Sequence, residues 1–238
     1  MGKRRALGQH YLVDPSVVQL MIESSSIKQD ERVLEIGTGK GVLTERLCEL
    51  SGHLEAFELD DANYLATRRR VGRELDLHLG DAFSTRPIFD VLVSSLPYSE
   101  SSNFIEWLSQ SDYDRAIVIL QKEFVEKLMS EPRKRSYRAI SVIFQLSSSI
   151  DVIGEVDRNS FAPPPRVSSV VAVIKPREII TPRQIRLVKT LFSLKKRKLR
   201  VALGLLGFDE KGVTPELLSR RVWDLSALEI WWVLGAID

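Results

Sequence analysis

Three glycines stand at positions 37, 39 and 41 in the run VLEIGTGKGVLT, after a short apolar stretch and before a helical pattern. Glycines at such a junction allow backbone conformations closed to other residues and let a ligand approach the main chain. Two familiar glycine loops do not fit. A phosphate-cradling loop of the P-loop kind needs Ser or Thr directly after its Gly-Lys, and here Gly41 follows Lys40. A dinucleotide fingerprint has the spacing G-x-G-x-x-G, where this chain has G-x-G-x-G. Alone, the loop says that a backbone passes close to a nucleoside-like ligand. Glu58, about 20 positions on, suits a ribose in either case. Three further features follow in order: Glu35 just before the first glycine, Asp81 in GDAF, and SSLPY from Ser94 to Tyr98. Each piece has a plain structural reading, Glu58 as a helix cap and Asp81 as a turn residue, but their joint order is improbable by chance.

The elements that must position these groups alternate. Asp14-Pro15 reads as an N-cap followed by proline at the first helical position, opening a helix to about residue 24. Strands are expected at 32–36, 53–59, 75–79, 89–93 and 116–120, with helices after the glycine loop, from Asp60, at 103–108 and at 121–129. A basic loop covers 133–138, and two late strands, 150–156 and 169–174, flank a turn with three consecutive prolines. Strands alternating with helices imply a mostly parallel sheet covered on both faces, with ligands at the carboxyl ends of its strands. After Lys175-Pro176 the pattern changes to amphipathic helices. The expected architecture is an α/β, Rossmann-like domain over residues 1–176 and a small helical domain over 177–238.

Composition closes several classes. The chain has 238 residues, 44% hydrophobic and 28% charged, with one cysteine and three histidines. That is ordinary globular usage, not a disordered or disulfide-built chain. Cys48 alone excludes an internal disulfide and a cysteine cage for a metal, so no metal is expected. No apolar run approaches the ~20 residues that cross a bilayer, and the basic start lacks an apolar signal region, so a cytoplasmic protein is expected. The net charge is only +2, but from Thr181 onward there are 11 Lys/Arg against 6 Asp/Glu. Such a local basic field attracts polyanions.

The order of loop, acid, acid and proline-aromatic turn resembles the class I S-adenosylmethionine-dependent methyltransferases that act on amino nitrogens. More specifically, the chain resembles the KsgA-type rRNA adenine dimethyltransferases, a family that includes the Erm enzymes. The resemblance runs through GQHYL, EIGTGKGVLT, FELD, GDAF, SLPY, QKEF, YRAISV, FAPPPRVSS and FSLKKRKLRVAL, nearly the whole chain. The ILQKEF spacing and the SLPY variant look archaeal rather than bacterial.

The resemblance implies a cofactor, S-adenosyl-L-methionine, with His10, the Leu12 backbone, Gly37 and Gly39 near its methionine portion. It implies Glu58 on the ribose, Asp81 on the adenine, Ser95 against the cofactor as well, and Ser95, Leu96, Pro97 and Tyr98 at the target amine. Tyr98 would stack on the base, and Phe161 would close its other side. The implied substrate is a pair of adjacent adenosines near the 3′ end of small-subunit rRNA, within a pre-ribosomal particle, modified by a monomer. Phosphate contacts are expected from Lys3, Arg4, Arg5, Arg133, Lys134, Arg135 and from a basic helix carrying Lys195, Lys196, Arg197, Lys198 and Arg200. One position departs from the family pattern: Ser95 stands where the family has asparagine. A hydroxyl accepts a hydrogen bond, but it is shorter and can turn away. That leaves open a slower enzyme, a rearranged pocket, or an assembly factor that binds RNA without methylating it; an Erm-like large-subunit enzyme is a further alternative.

Overall fold

A computed structural model of the chain describes residues 10–72 and 75–237. Lys3, Arg4 and Arg5 lie outside the described residues. In chain order the elements are β1 (Tyr11–Leu12), α1 (Pro15–Ser25), β2 (Arg32–Ile36), α2 (Val42–Leu50), β3 (His53–Glu58), α3 (Asp61–Val71) and β4 (Asp76–Leu79). Next come β5 (Val91–Ser94), α4 (Ser101–Leu108), β6 (Arg115–Gln121), α5 (Lys122–Leu128), α6 (Ala139–Ser147), β7 (Ser148–Val156), β8 (Phe161–Ala162) and β9 (Ser169–Pro176). The helices α7 (Pro182–Ser193), α8 (Leu199–Leu206), α9 (Pro215–Ser219) and α10 (Ala227–Ile237) follow.

Seven strands form one sheet in the order β4-β3-β2-β5-β6-β9-β7. Neighbours from β4 to β6 are parallel, and β9 runs antiparallel to β6. The chain builds outward from β2 to β4, then returns to lay β5 on the other side of β2. The carboxyl ends of β2 and β5 therefore flank the switch point, where open α/β sheets leave a crevice for ligands. Central strands β5 and β6 are buried along nearly their whole length, as the continuous apolar runs VLV and AIVIL require of a sheet covered on both faces. Local chemistry sets the helix starts. Asp14 accepts from the Ser16 amide at 2.9 Å with Pro15 at the first helical position, and Asp60 accepts from the Ala62 and Asn63 amides, each at 3.0 Å.

The chain divides into two compact units. The first comprises residues 1–104, 111–123 and 150–176; the second comprises 105–110, 124–149 and 177–238. Residue 176 is thus one crossing point among several, and the helical unit draws on a segment inserted between β6 and β9. At its centre lies α6, which sequence periodicity does not anticipate. Its residues AISVIFQLS include no charged group, and every one is buried or half-buried, so it lacks the charged face that marks a surface helix. In the second unit α6 packs with Val188, Leu191, Leu203, Ile230 and Val233 in one cluster, each of these wholly buried. Burying such side chains contributes about 1.5–3 kcal/mol apiece.

Candidate active site at the carboxyl ends of β2 and β5

The glycine loop leaves β2 with Gly37 at φ 78° and Gly39 at φ 57°, the left-handed region that favours glycine. A Cβ on Gly39 would stand 3.3 Å from the Tyr11 ring, and one on Gly37 would stand 3.5 Å from Leu96. The loop is tied to the end of β3 by Glu58. Its Oε2 accepts from the Gly39 amide at 2.8 Å, and its Oε1 accepts from the Asp60 amide at 2.9 Å. Glu58 does not cap α3; Asp60 does that. The Glu58 carboxyl is buried, which pushes its pKa upward against the Asp60, Gly39 and Leu59 amides that favour the charged form. Each carboxylate oxygen keeps a second lone pair for a ligand. Beneath the loop, Glu35 is 1% exposed, its Oε2 has no partner, and burial pushes its pKa up to about 8. The Thr44 hydroxyl lies beside it without a well-shaped hydrogen bond.

Asp81 opens the turn after β4. Its Oδ1 accepts from the Phe83 amide at 2.9 Å, so the turn-residue reading holds for one oxygen. The other oxygen remains for a ligand. A cavity of about 350 Å³ brings these groups together: His10, Gly37, Gly39, Glu58, Asp81, Ser95, Leu96 and Pro97 all line it. Leu12 lines a small cavity beside it, together with Glu35 and Ser95. Phe83, Glu100 and Asn103 also line the main cavity, although the sequence does not single them out. They carry no signal because Phe83 and Asn103 read as ordinary members of a turn and a helix start.

The SLPY turn follows β5 directly. Ser94, wholly buried, donates its hydroxyl hydrogen to the Ile36 carbonyl at 2.5 Å and so clamps the end of β5 to the end of β2. Ser95 faces the cavity, and no hydrogen bond ties its side chain to any described residue. Tyr98 stands beside the cavity rather than in its lining. Its ring meets His10 at 6.0 Å between centroids and Phe161 edge-on at 6.5 Å, and its hydroxyl hydrogen-bonds Ser169. Phe161 is 3% exposed, within the apolar core beside Leu12. The resemblance puts it across the base from Tyr98; here the two rings meet at an interplanar angle of 74°. The His10 Nδ1 donates to the Pro163 carbonyl at 2.7 Å, which fixes Nδ1 as the protonated nitrogen and leaves Nε2 facing elsewhere.

The basic segments of the second unit converge on the short turn Val222–Asp224. The Arg133 amide donates to the Trp223 carbonyl, the Trp223 amide to the Lys195 carbonyl, and the Val222 amide to the Arg197 carbonyl, each at 3.0 Å. Lys195 Nζ lies 5.8 Å over the Trp223 ring. Lys134, Arg135, Lys196, Arg197 and Lys198 are largely solvent-facing. The expected basic helix needs correcting. Lys195, Lys196, Arg197 and Lys198 form the connection between α7 and α8, and only Arg200 is helical. Backbone pairing with residues 220–223 takes up the groups a helix would use. Two cations are already engaged: Arg133 with Asp224 at 3.2 Å, and Arg200 with Glu210 at 3.3 Å. Among the described residues one cluster has metal-ligand chemistry, Glu55, Asp76 and His78 on β3 and β4, and it does not line the active-site cavity.

The donor set fits the cofactor implied by the resemblance. A cradle that Cβ atoms would fill lies beside two acceptor oxygens for vicinal hydroxyls, and Asp81 can accept from an amine. An unpartnered buried carboxyl oxygen sits below. Comparison with known proteins agrees. The family model for ribosomal RNA adenine dimethylase matches residues 1–215. A probable ribosomal RNA small subunit methyltransferase A from Methanothermobacter thermautotrophicus is 35% identical, over 95% of this chain and 88% of the relative. A solved dimethyladenosine transferase from Plasmodium falciparum superposes with a TM-score of 0.80 at 25% identity, covering 95% of this chain and 96% of that one. The 23S rRNA methyltransferase ErmE, at 19% identity, shares the fold with a TM-score of 0.66 over 96% and 99% of the two chains. A glycine loop on a parallel sheet, two ordered acids and a family match over most of the sequence lead to one assignment: the chain belongs to the ribosomal RNA adenine dimethylases, enzymes dependent on S-adenosylmethionine.

Proposed function

We propose that this chain dimethylates the exocyclic amines of two adjacent adenosines near the 3′ end of small-subunit rRNA, acting as a monomer on a pre-ribosomal particle in the cytoplasm. The carrying observation is that one cavity is lined by Gly37, Gly39, Glu58, Asp81, Ser95, Leu96 and Pro97 together. Small-subunit rRNA is favoured by the name of the archaeal relative. No helix among the described residues is long and apolar enough to cross a membrane.

When bound, S-adenosylmethionine supplies an electrophilic methyl on sulfonium sulfur. The protein's residues supply position and charge. Glu58 would accept from the ribose hydroxyls and Asp81 from the adenine amine, and the glycine loop, with His10 and Leu12, would hold the methionine portion. The target amine is a poor nucleophile because its lone pair is delocalised into the ring. The Leu96 carbonyl and the Ser95 hydroxyl accept from that amine, draw it toward tetrahedral geometry and offset its developing positive charge. Tyr98 stacks on the base, which must leave any helix or lie in a single-stranded loop to reach it. Fixing the target amine against the bound cofactor would supply the remaining acceleration. Arg133, Lys134, Arg135, Lys195, Lys196, Arg197, Lys198 and Arg200 contact phosphates, and the turn around Trp223 gathers them.

The test is methyl transfer from labelled S-adenosylmethionine to unmethylated small subunits, with mass spectrometry of the rRNA. Dimethyladenosine formed by the native chain and lost in Asp81→Ala supports the reading. Tight subunit binding with no product, and activity gained on Ser95→Asn, would identify an assembly factor instead.

A further inference from the structure

The stacking role proposed for Tyr98 requires that its ring hold one orientation while a base enters. Ring contacts do part of this: His10 meets one side at 6.0 Å between centroids, and Phe161 presents an edge at 6.5 Å. Neither contact restrains the tip of the ring. A phenol hydroxyl drawn in among apolar groups also needs a partner, because an unpaired one costs about 1–3 kcal/mol.

Ser169 meets both requirements. It is the first residue of β9 and 1% exposed. Its Cα lies opposite Gln121, the last residue of β6, and the preceding carbonyl, Ser168 O, accepts from the Lys122 amide at 3.0 Å. The sheet therefore fixes where its hydroxyl points. Chain direction makes this possible. Every parallel strand delivers its last residue to the ligand-binding edge of the sheet, whereas β9 runs the other way and delivers its first. The Ser169 Oγ and the Tyr98 hydroxyl are hydrogen-bonded. Burial pushes the Tyr98 pKa upward, so its hydroxyl keeps its proton at any working pH.

We propose that Ser169 is a positioning residue, which holds the Tyr98 ring by its hydroxyl in the orientation that receives the target base. The inference rests on the stacking role assigned to Tyr98, and the experiment separates the two. Native enzyme, Ser169→Ala, Tyr98→Phe, the double variant and Tyr98→Ala are compared for single-turnover methyl transfer, KM for the RNA, S-adenosylmethionine affinity and melting temperature. Ser169→Ala and Tyr98→Phe should each slow transfer about threefold to tenfold, the effect of losing one neutral hydrogen bond. The double variant should be no slower than either, with cofactor affinity unchanged. A purely structural role would shift melting and leave this non-additivity absent. Native transfer rates in Ser169→Ala, or effects that multiply in the double variant, overturn the positioning role. If Tyr98→Ala itself transfers at the native rate, the stacking role falls and the inference with it. A slow Tyr98→Ala beside a native-rate Ser169→Ala refutes the inference alone.

Discussion

Replacing Glu58 with Gln keeps the side-chain shape while removing its charge and one acceptor, which makes it a sharp probe of the ribose assignment. In the native chain one carboxylate oxygen accepts from Gly39 and the other from Asp60, at 2.8 and 2.9 Å. The lone pairs left over are the acceptors available to two ribose hydroxyls. However the Gln amide sits, its NH₂ faces one of those backbone amides, and one ribose hydroxyl loses an acceptor. The stripped amide costs about 1–3 kcal/mol in free and bound protein alike, so it appears as lower stability. At roughly 2–4 °C per kcal/mol this lowers the melting temperature by about 2–12 °C. The missing charge-assisted bond weakens only the complex, by about 1.5–3 kcal/mol, or roughly 10- to 150-fold in Kd. Calorimetric titration with S-adenosylmethionine, beside melting without it, reads the two effects separately. The pH dependence carries a sign. Burial raises the folded-state pKa of Glu58, so cofactor affinity should fall as pH drops through a range above that of an ordinary glutamate. That dependence should vanish in Glu58→Gln. A variant with lowered melting and a Kd within about threefold of native would mean that Glu58 only props the loop, and the ribose role would be refuted.

Three other outcomes are expected. Ser95→Asn restores a longer, planar acceptor beside the Leu96 carbonyl and should speed single-turnover methylation by about tenfold or more, since one preorganised acceptor is worth about 2.7–4 kcal/mol; an unchanged rate would show the pocket to be rearranged around serine. Glu35 is wholly buried, which raises its pKa from the ordinary 4.5 to about 8. Its protonated form is favoured in the folded chain, so its stabilising contribution is complete below about pH 4.5 and is lost as pH rises toward 8, by up to about 4–5 kcal/mol. Urea melts of the cofactor-free protein should show Glu35→Gln gaining on native over that window, and parallel pH profiles would refute the burial argument. Replacing Lys196, Arg197 and Lys198 together by Ala should lower the salt-dependence slope of RNA binding by about 0.7–0.9 for each phosphate no longer neutralised, while leaving cofactor affinity alone; an unchanged slope would remove this segment from the RNA interface.

Strong local rules make part of the fold readable from the residues alone. Proline after Asp14, glycines after an apolar run, and Asp60 before a helix are short-range signals, and the elements they mark lie within a residue or two of expectation. The ligand edge is legible for the same reason: Glu58, Asp81 and Ser95 each stand at or just past the end of a strand, and parallel strands bring their ends together. The unread parts depend on long-range packing. Helix α6 has no charged face because it is surrounded, and its one polar stripe, Ser141 and Gln145, is taken up by the Lys127, Leu128 and Ser130 carbonyls. Nor does the basic run show its turn, because the backbone bonds that define it come from residues 220–223, more than twenty positions away. Ser169 ends a family motif with no role of its own in the sequence, since only the antiparallel return of β9 places it on Tyr98.

The same geometry explains how the family reaction can tolerate serine at position 95. The acceptor that survives the change, the Leu96 carbonyl, belongs to the backbone, and its direction is set by features that ignore the identity of residue 95. Ser94 locks the end of β5 onto the Ile36 carbonyl of β2, and Pro97, at φ −55°, constrains the turn that follows. In-line positioning contributes as much as about 7–11 kcal/mol to a reaction of this kind, against about 2.7–4 for a single preorganised acceptor. A chain that keeps the first effect and weakens the second should be slowed, not silenced. The gain expected on Ser95→Asn and the loss expected on Ser169→Ala therefore test the two separately, the one acting on charge at the amine and the other on the placement of the base.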